Sequence, residues 1–226
     1  MKRIIFVLLT IAMPFIAKAQ INELGIFAGG ANYIGDVGPT DYIAPNEPAF
    51  GIIYKWNRSP RHAWRASFTY GKLSAADEDS DVSGRKRRGF EFDNSVKELS
   101  AGMEFNFFDF NLHETDLKIT PYIYGGLSYF WYTESYIELN GVQKKGDTKG
   151  SLAIPMTVGI KSNILPNFIL GFEAGARYTF TDNLDGSNHD DYQQFRFGNL
   201  GSKDWYVFTG FTLTYTFGVK PCYCSY

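Results

Sequence analysis

The two cysteines of this chain lie close to its end, in the segment "VKPCYCSY". Cys222 and Cys224 are separated only by Tyr223, so a disulfide between them would close a very small ring with strained geometry. Two ligands from one chain are too few for a metal site. The third alternative is an intermolecular disulfide with another protein, which requires an oxidising compartment. The location of the tail therefore decides what these thiols do.

Histidine is the other residue type here that could support acid–base chemistry, and one of the three histidines has suitable neighbours. His189 follows Ser187 and precedes Asp190 and Asp191, whereas the other two histidines fall in predicted short turns. A hydrolytic site needs a serine, a base and an acid that converge. The spacing favours a solvated loop instead. We therefore predict no catalytic residues, no metal site, no cofactor and no small-molecule substrate.

Charged residues recur inside stretches that otherwise alternate between bulky and small side chains. They are Lys55, Arg65, Glu98, Glu104, Lys161, Glu173 and Arg177. These charges have both signs, and buried charges persist when they are paired and hydrogen-bonded. The pattern predicts a charge ladder that fills a narrow interior. The functional alternative is an ion or proton path.

The elements that position these charges are strands, because apolar residues recur with period two and not with a helical period. Eight segments show the pattern, at 23–34, 49–57, 62–73, 95–107, 119–133, 151–162, 168–180 and 205–217. About ten residues suffice for a tilted strand to cross a bilayer. Pro121 and Pro155 each remove a ladder hydrogen bond, so we expect a bulge or a barrel rim at both.

The connections between these strands alternate in length. Three are comparatively short, at 57–61, 108–118 and 163–167, and four are long and polar, at 35–48, 74–94, 134–150 and 181–204. This is the layout of an outer-membrane barrel. We predict an all-β, eight-stranded antiparallel transmembrane β-barrel with short periplasmic turns and long extracellular loops.

A soluble lipocalin-like barrel would also alternate, and the volume of the lumen decides between the two. Eight strands enclose a lumen that side chains only just fill, so the bulky face must point outward and contact lipid. Four tryptophans fit two girdles at the membrane interfaces. Trp56 and Trp64 lie beside the first short turn, and Trp131 and Trp205 lie at the long-loop ends.

The N-terminus carries the features of an export signal. Residues 1–19 comprise Lys2 and Arg3, an apolar run and a small-x-small pattern at Ala17 to Ala19, typical of a cleaved signal peptide. We assign 20–217 to the barrel and 218–226 to a periplasmic tail. The mature chain has 19 basic and 24 acidic residues, a net charge of −5, which does not favour nucleic acid as a partner.

One long loop combines the acidic run "DEDSD" at 77–81 with the basic run "RKRR" at 85–88. An outward basic run could contact lipopolysaccharide phosphates. A solvated loop whose charges neutralise each other is the simpler interpretation, and we expect it.

Several stretches together resemble one family. They are "ELGIFAGGANYIGD" at 23–36, "WRASFTYGKLSAADED" at 64–79, "RRGFEF" at 87–92 and "KELSAGMEFNFFDF" at 97–110, with weaker support from "TPYIYGGLSYF" at 120–130. The chain resembles the PorG family, the small outer-membrane barrel of the type IX secretion system. The motif residues are Asn32, Gly35, Asp36, Glu104 and Asn106. We interpret Gly35 and Asp36 as a strand-to-loop turn and Glu104 as a partner for Arg65.

The resemblance implies a non-enzymatic component of a secretion machine, docked to a periplasmic ring built from a lipoprotein and its companion subunit. If so, the ring lipoprotein is the partner expected for Cys222 or Cys224. The competing hypothesis is a free-standing small barrel, either a pore or an adhesin-like surface protein. The second half of the chain departs from the family pattern into generic barrel sequence.

Overall fold

The computed structural model describes residues 21–112, 114, 116–199 and 201–218. The predicted signal peptide, His113 and the tail cysteines lie outside the described residues. The eight strands are β1 (Ile21–Ile34), β2 (Glu47–Asn57), β3 (His62–Ala76), β4 (Glu91–Asn106), β5 (Ile119–Ile137), β6 (Gln143–Leu165), β7 (Phe168–Thr179) and β8 (Trp205–Phe217). Each pairs antiparallel with its neighbours in sequence, and β1 pairs with β8 to close the ring. The predicted fold is confirmed.

The third long loop is much shorter than the sequence predicts. β5 continues to Ile137 and β6 begins at Gln143, so most of the expected loop at 134–150 is a two-stranded arm. Above the pair Ala153–Thr179, β6 no longer pairs with β7. The alternation is hard to detect in the β6 half of this arm, where most side chains are exposed, whereas Glu134, Ser135 and Ile137 in the β5 half are buried.

The remaining extracellular connections contain little regular structure. Between β3 and β4 lie a 3₁₀ turn at Asp77–Asp79 and a short helix, α1 (Ser83–Arg88), and the β7–β8 connection contains a 3₁₀ turn at Gln193–Phe195. No helix in the described ranges has the length and apolarity needed to cross a membrane.

The two strand prolines differ in position. Pro121 is the third residue of β5, close to the periplasmic rim, as expected. Pro155 lies in the middle of β6, and the register does not shift there, so the expectation of a bulge or rim is wrong at this residue. The ladder to β5 is interrupted from Gly125–Met156 to Ser128–Ala153, because proline has no N–H to donate.

The outer surface of the barrel is apolar. Exposed large side chains on the strands include Leu24, Ile26, Phe50, Ile52, Phe68, Leu99, Met103, Ile123, Leu127, Ile154, Val158, Ile160, Phe168, Leu170, Phe172, Phe211 and Leu213. Trp56 and Trp64 are cross-strand partners at the periplasmic end, while Trp131 and Trp205 lie toward the extracellular end. In water a continuous apolar belt of this size would drive association, so this surface is built to face lipid.

Two cross-strand glycine pairs lie where neighbouring strands leave no room for a side chain. Gly29 pairs with Gly210 across β1 and β8, and Gly102 pairs with Gly126 across β4 and β5. A Cβ added to Gly102 would lie 2.2 Å from the carbonyl oxygen of Gly125, and one added to Gly29 would lie 2.2 Å from that of Thr209. The backbones approach too closely there for any other residue.

The interior is less uniformly small and polar than the sequence suggests. The extracellular half of the lumen holds a packed cluster that includes Phe27, Ile53, Leu73, Val96, Phe130, Tyr206 and Phe208. Phe130 and Tyr206 meet edge to face with ring centroids 5.4 Å apart. Arg177 and Glu98 contact Phe208 and Tyr206 of this cluster, so part of the charge ladder lies among the aromatic side chains.

Candidate functional site

The centre of the lumen is crossed by an ion pair between β3 and β7. Arg65 Nη1 and Nη2 donate to Glu173 Oε2 and Oε1, each at 2.7 Å, in a two-pronged arrangement. Tyr122 adds a third hydrogen bond, from its hydroxyl to Glu173 Oε2 at 2.6 Å. All three side chains are buried, so the pair is shielded from water and strongly oriented.

Glu104 on β4 collects the remaining positive charges of this layer. Lys55 Nζ lies 2.8 Å from Glu104 Oε2, and Lys161 Nζ donates to Oε1. The predicted partner Arg65 is only a secondary contact, at 3.6 Å from Oε2. The predicted Arg65–Glu104 ion pair is therefore present. Arg65 makes its closer contact with Glu173 across the lumen, and the two lysines are the closer partners of Glu104.

A second layer lies nearer the extracellular side. Arg177 Nε is 3.3 Å from Glu98 Oε2, and the Tyr206 hydroxyl donates to the same oxygen at 2.5 Å. The Arg177 guanidinium also lies over the ring of Phe208, 4.5 Å from its centroid. The structure therefore brings all seven predicted ladder residues together as buried side chains with partners.

Sequence reasoning missed three members of this network. They are Tyr122 on β5, Tyr206 on β8 and Glu23 near the start of β1. The two tyrosines do not stand out in a sequence so rich in aromatic residues. Glu23 is fully buried and accepts from Asn57 Nδ2 at 2.9 Å and Thr214 Oγ1 at 2.8 Å. Their strand parity was the available signal, since all three lie on the inward face.

The described residues of the connection between β7 and β8, 180–199 and 201–204, fold into the extracellular mouth, and we call them the plug loop. Leu184 is fully buried and belongs to the aromatic cluster of the lumen. Its N–H donates to Asp204 Oδ2 at 2.9 Å, and its carbonyl accepts from Asn94 Nδ2 at 2.8 Å. The plug loop therefore caps the barrel from within.

The mouth is acidic as well as buried. Asp182, Asp185 and Asp204 lie close enough to interact electrostatically, and Asp36 adds a further carboxylate. Burial, reinforced by the neighbouring Asp36, raises the pKa of Asp182 to about 6. Burial likewise raises the pKa of Asp185 and of Asp204, again with carboxylate neighbours. The ionised plug loop therefore carries an electrostatic penalty.

His189 is a buried residue of the plug loop, so the expectation of a solvated loop is wrong at this position. Its Nε2 is 3.5 Å from Glu134 Oε2, and its Nδ1 accepts from the Asp191 N–H at 3.1 Å. The Ser187 hydroxyl instead donates to the Asp182 carbonyl at 3.1 Å. Serine, histidine and carboxylate do not converge as a hydrolase requires.

The basic run in the β3–β4 connection has a structural role. Arg85 donates to the carbonyls of Gly35 and Gly38, and Arg88 donates to both Asp77 and the Asp36 carbonyl. The expected neutralisation between the two runs occurs at Asp77 and Arg88. However, Asp77 is buried, and both arginines fasten this connection to the one after β1, so the expectation of a merely solvated loop is wrong.

The family-motif residues also hold connections in place. Asn32 accepts from Ala44 N–H at 3.4 Å and donates to the Asp41 carbonyl at 3.0 Å. Asp36 Oδ1 accepts from the Asn199 N–H at 3.0 Å, which ties the bend after Gly35 to the plug loop. Asn106 donates to the Pro60 carbonyl at 2.9 Å and thereby closes the first periplasmic turn.

Within the described ranges, no group of three or more His, Cys, Asp or Glu side chains is arranged to hold a metal ion. A family model described as a domain of unknown function, DUF6089, matches residues 2–226. The chain belongs to the DUF6089 family. No curated protein matches this DUF6089 chain.

Solved structures similar to the DUF6089 chain include small outer-membrane barrels. Ail, the attachment invasion locus protein of Yersinia pestis, in complex with the heparin analogue sucrose octasulfate, is 12% identical over 88% of this chain and 100% of that chain, with a TM-score of 0.48. A major outer membrane protein of Thermus thermophilus is 12% identical over 88% of this chain and 100% of that chain, with a TM-score of 0.47. Neisserial surface protein A is 11% identical over 88% of this chain and 98% of that chain, with a TM-score of 0.46.

The location of the DUF6089 chain follows from its own architecture. A closed ring of eight antiparallel strands, apolar outside and charged inside, is the construction of bacterial outer-membrane barrels. The protein is located in the outer membrane, with lipid around its apolar belt. Its short turns, the start of β1 and the end of β8 lie on the periplasmic side.

Proposed function

We propose that this protein is a non-enzymatic component of the type IX secretion machinery that anchors a periplasmic ring complex to the outer membrane. The proposal rests on the resemblance of four stretches in the first half of the chain to the PorG family. It assigns the barrel the role of an anchor and not of a conduit. The buried, paired charges of the lumen support that assignment, because they leave no continuous aqueous path to carry a polypeptide.

The observation that carries the docking role is an apolar surface on the periplasmic side. In the turn between β4 and β5, Phe107, Phe108 and Leu117 are 47%, 60% and 70% exposed. The Phe107 and Phe108 N–H groups donate to the Pro121 carbonyl and to Thr120 Oγ1, both at 3.0 Å, so the turn is fixed to the rim. Exposed apolar side chains on a periplasmic turn suit a protein partner.

Copurification from gently solubilised envelopes tests this function. A tagged wild-type barrel should bring down the ring lipoprotein and its companion subunit, and deletion of the gene should abolish type IX secretion. Leu117→Asp should weaken the capture. The matched control is Leu139→Asp, at a leucine on the extracellular side that is even more exposed than Leu117. Wild-type capture of neither subunit, with secretion intact after deletion, would refute the proposal.

A free-standing surface barrel is the second candidate. The two-stranded arm of β5 and β6 favours it, because it rises above the ladder with β7 and exposes Leu139 at its tip. An adhesin-like protein would retain its surface activity when the periplasmic ring is absent. Host-cell or matrix adhesion lost on shortening the arm, together with normal secretion, would support this alternative.

A further inference from the structure

The ladder between β4 and β5 stops well below the tops of both strands. Their pairing ends at Lys97–Trp131, although β4 begins at Glu91 and β5 continues to Ile137. Over these upper residues β4 pairs only with β3, and β5 only with β6. We call this interruption the seam. It leaves two strand edges facing each other without a backbone ladder.

Side-chain amides occupy the missing rungs. Continued upward, the register would pair Ser95 with Thr133 and Asp93 with Ser135. At the first rung, Asn94 Oδ1 accepts from the N–H groups of Ser95 at 2.8 Å and Thr133 at 3.2 Å. Asn94 Nδ2 donates to the Thr133 carbonyl at 2.8 Å. One side-chain amide thus bonds the edges as a peptide group would.

Gln143 does the same at the second rung. Its Oε1 accepts from the Asp93 N–H at 3.1 Å, and its Nε2 donates to the Asp93 carbonyl at 3.2 Å. Nε2 also donates to Ser135 Oγ at 3.0 Å. Residues 93 and 95 present their N–H groups to the seam, as alternate residues of a strand edge do. The two amides therefore stand where the backbone of an added strand would pair.

The seam is accessible from outside. A cleft of about 290 Å³ is lined by Asp93, Ser95 and Thr133, and a second of about 230 Å³ shares Ser95 and Thr133. A third, of about 720 Å³, adjoins the first at Asp93 and is also lined by Asp79 and Glu91. Its volume is in the range of ligand-binding clefts. Lysines line the two smaller clefts, with Lys72 and Lys145 in the first and Lys97 in the second, so the seam presents charges of both signs.

We propose that the seam is a binding site for an extended polypeptide segment on the extracellular side, which pairs with the upper edges of β4 and β5. An added strand can replace the hydrogen bonds that the Asn94 and Gln143 amides make to both edges, whereas an acyl chain can replace none of them. The six residues Glu91–Val96 span about 20 Å, enough for a segment of six or seven residues.

Binding at the seam is connected to the plug loop. Asn94 Nδ2 donates to the carbonyl of Leu184 as well as to that of Thr133. An occupant that replaces the Asn94 amide at the first rung releases this contact with the plug loop. The seam is therefore a site whose occupancy loosens the cap of the lumen. This inference does not depend on the proposed secretion function.

The test selects peptides on the barrel in lipid nanodiscs, from a displayed library of random seven-residue sequences. Both tail cysteines are replaced by serine. Ser95→Cys, labelled with a bulky maleimide, blocks the seam, and the control is Val82→Cys with the same label, at an exposed position in the β3–β4 connection. Heat-modifiability on gels shows that both labelled proteins are folded. Enriched peptides should bind the Val82-labelled barrel and lose at least tenfold in affinity for the Ser95-labelled one.

Backbone N-methylation identifies the mode of binding. Enriched peptides are resynthesised with methyl groups on their odd or their even amides, since successive amides point to opposite edges. Loss of affinity from one set supports pairing with one edge, and loss from both sets supports insertion between the edges. The proposal is overturned if no peptide is enriched over empty nanodiscs, if the Ser95 label has no effect, or if both methylated sets bind as tightly as the parent.

Discussion

Arg65 and Glu173 join opposite walls of the barrel, since β3 and β7 are four strands apart in a ring of eight. Their two hydrogen bonds of 2.7 Å span the lumen at its charged layer. Pairing between neighbouring strands alone would leave the interior open to rearrangement. This contact instead fixes the distance between two walls that share no ladder.

Breaking this pair from one side should be costly. Arg65→Met leaves the Glu173 carboxylate buried with the Tyr122 hydroxyl as a remaining donor, so we expect a loss of about 3–5 kcal/mol in unfolding free energy. Urea titration in lipid vesicles, followed by gel mobility, measures it. The control is Arg61→Met at the exposed pair with Asp109, which should change stability by less than about 1 kcal/mol. Equal effects would contradict a desolvated pair.

The paired charges should also prevent conduction. Because all seven ladder side chains are buried and have partners, the purified wild-type barrel should show no steady current in planar bilayers. Brief openings are compatible with fluctuations of the plug loop. A stable open-channel current through the wild-type barrel would contradict a closed lumen and favour the hypothesis that the protein is a pore.

The plug loop should become less stable as pH rises. An isolated aspartate titrates near 3.8 and Asp182 near 6, so between these values the folded loop holds a proton that the unfolded loop has lost. The contribution of this group to stability falls across that window and stays low above it. The raised pKa values of Asp185 and Asp204 act in the same direction.

Hydrogen-exchange protection of residues 181–189, corrected for intrinsic rates, measures this pH effect. Protection should be higher at pH 5 than at pH 8. Asp182→Asn should raise protection at pH 8 and flatten the pH dependence. Asp147→Asn removes an exposed carboxylate on the β6 arm and should change neither. Protection that increases with pH would contradict the assignment.

A methyl group at the Gly102 corner should destabilise the barrel. The new Cβ of Gly102→Ala would meet the Gly125 carbonyl at 2.2 Å, so the two backbones must separate, at a cost of about 1–3 kcal/mol. Gly84→Ala is the matched control, because a Cβ there meets no atom within 4 Å and the residue lies in α1. The same urea titration should show no loss for the control. Equal stability of both variants would show that the corner is not tight.

The tail cysteines should form an intermolecular disulfide. β8 ends at Phe217, opposite Asn22 near the start of β1, so the chain leaves the barrel on the oxidising periplasmic side. After thiol blocking, a band heavier than the 25.6 kDa precursor should collapse on reduction and be absent from a Cys222→Ser/Cys224→Ser variant. Identical lanes with and without reductant, and full labelling of both thiols, would exclude a covalent link.

The strand alternation predicted the ring, because one face must avoid water while the other packs into a narrow space. It placed Lys55, Glu98 and Arg177 on the inward face, since parity alone fixes that. Partners could not be predicted in this way. Arg65 contacts Glu173, 108 residues later in the chain. Which residues meet across the lumen depends on the diameter and the shear of the ring, and the alternation pattern predicts neither.

Other features depended on contacts that periodicity does not encode. The plug loop is polar in sequence, yet Leu184 and Asp185 are fully buried because the mouth of the barrel encloses them. The seam arises from Asn94 and Gln143, whose amides replace backbone groups. Neither residue is unusual for a loop-proximal position, so its role is visible only when both edges are seen together.

The shared carboxylates have a consequence for how the barrel assembles. Glu104 on β4 needs Lys55 from β2 and Lys161 from β6, and Glu173 on β7 needs Arg65 from β3. A half-inserted chain would hold these groups in the bilayer without their partners, at a cost of several kcal/mol each. Hairpin-by-hairpin entry is therefore disfavoured. We therefore expect the strands to gather around a hydrated interior before the barrel closes, since water can solvate these charges until their partners arrive.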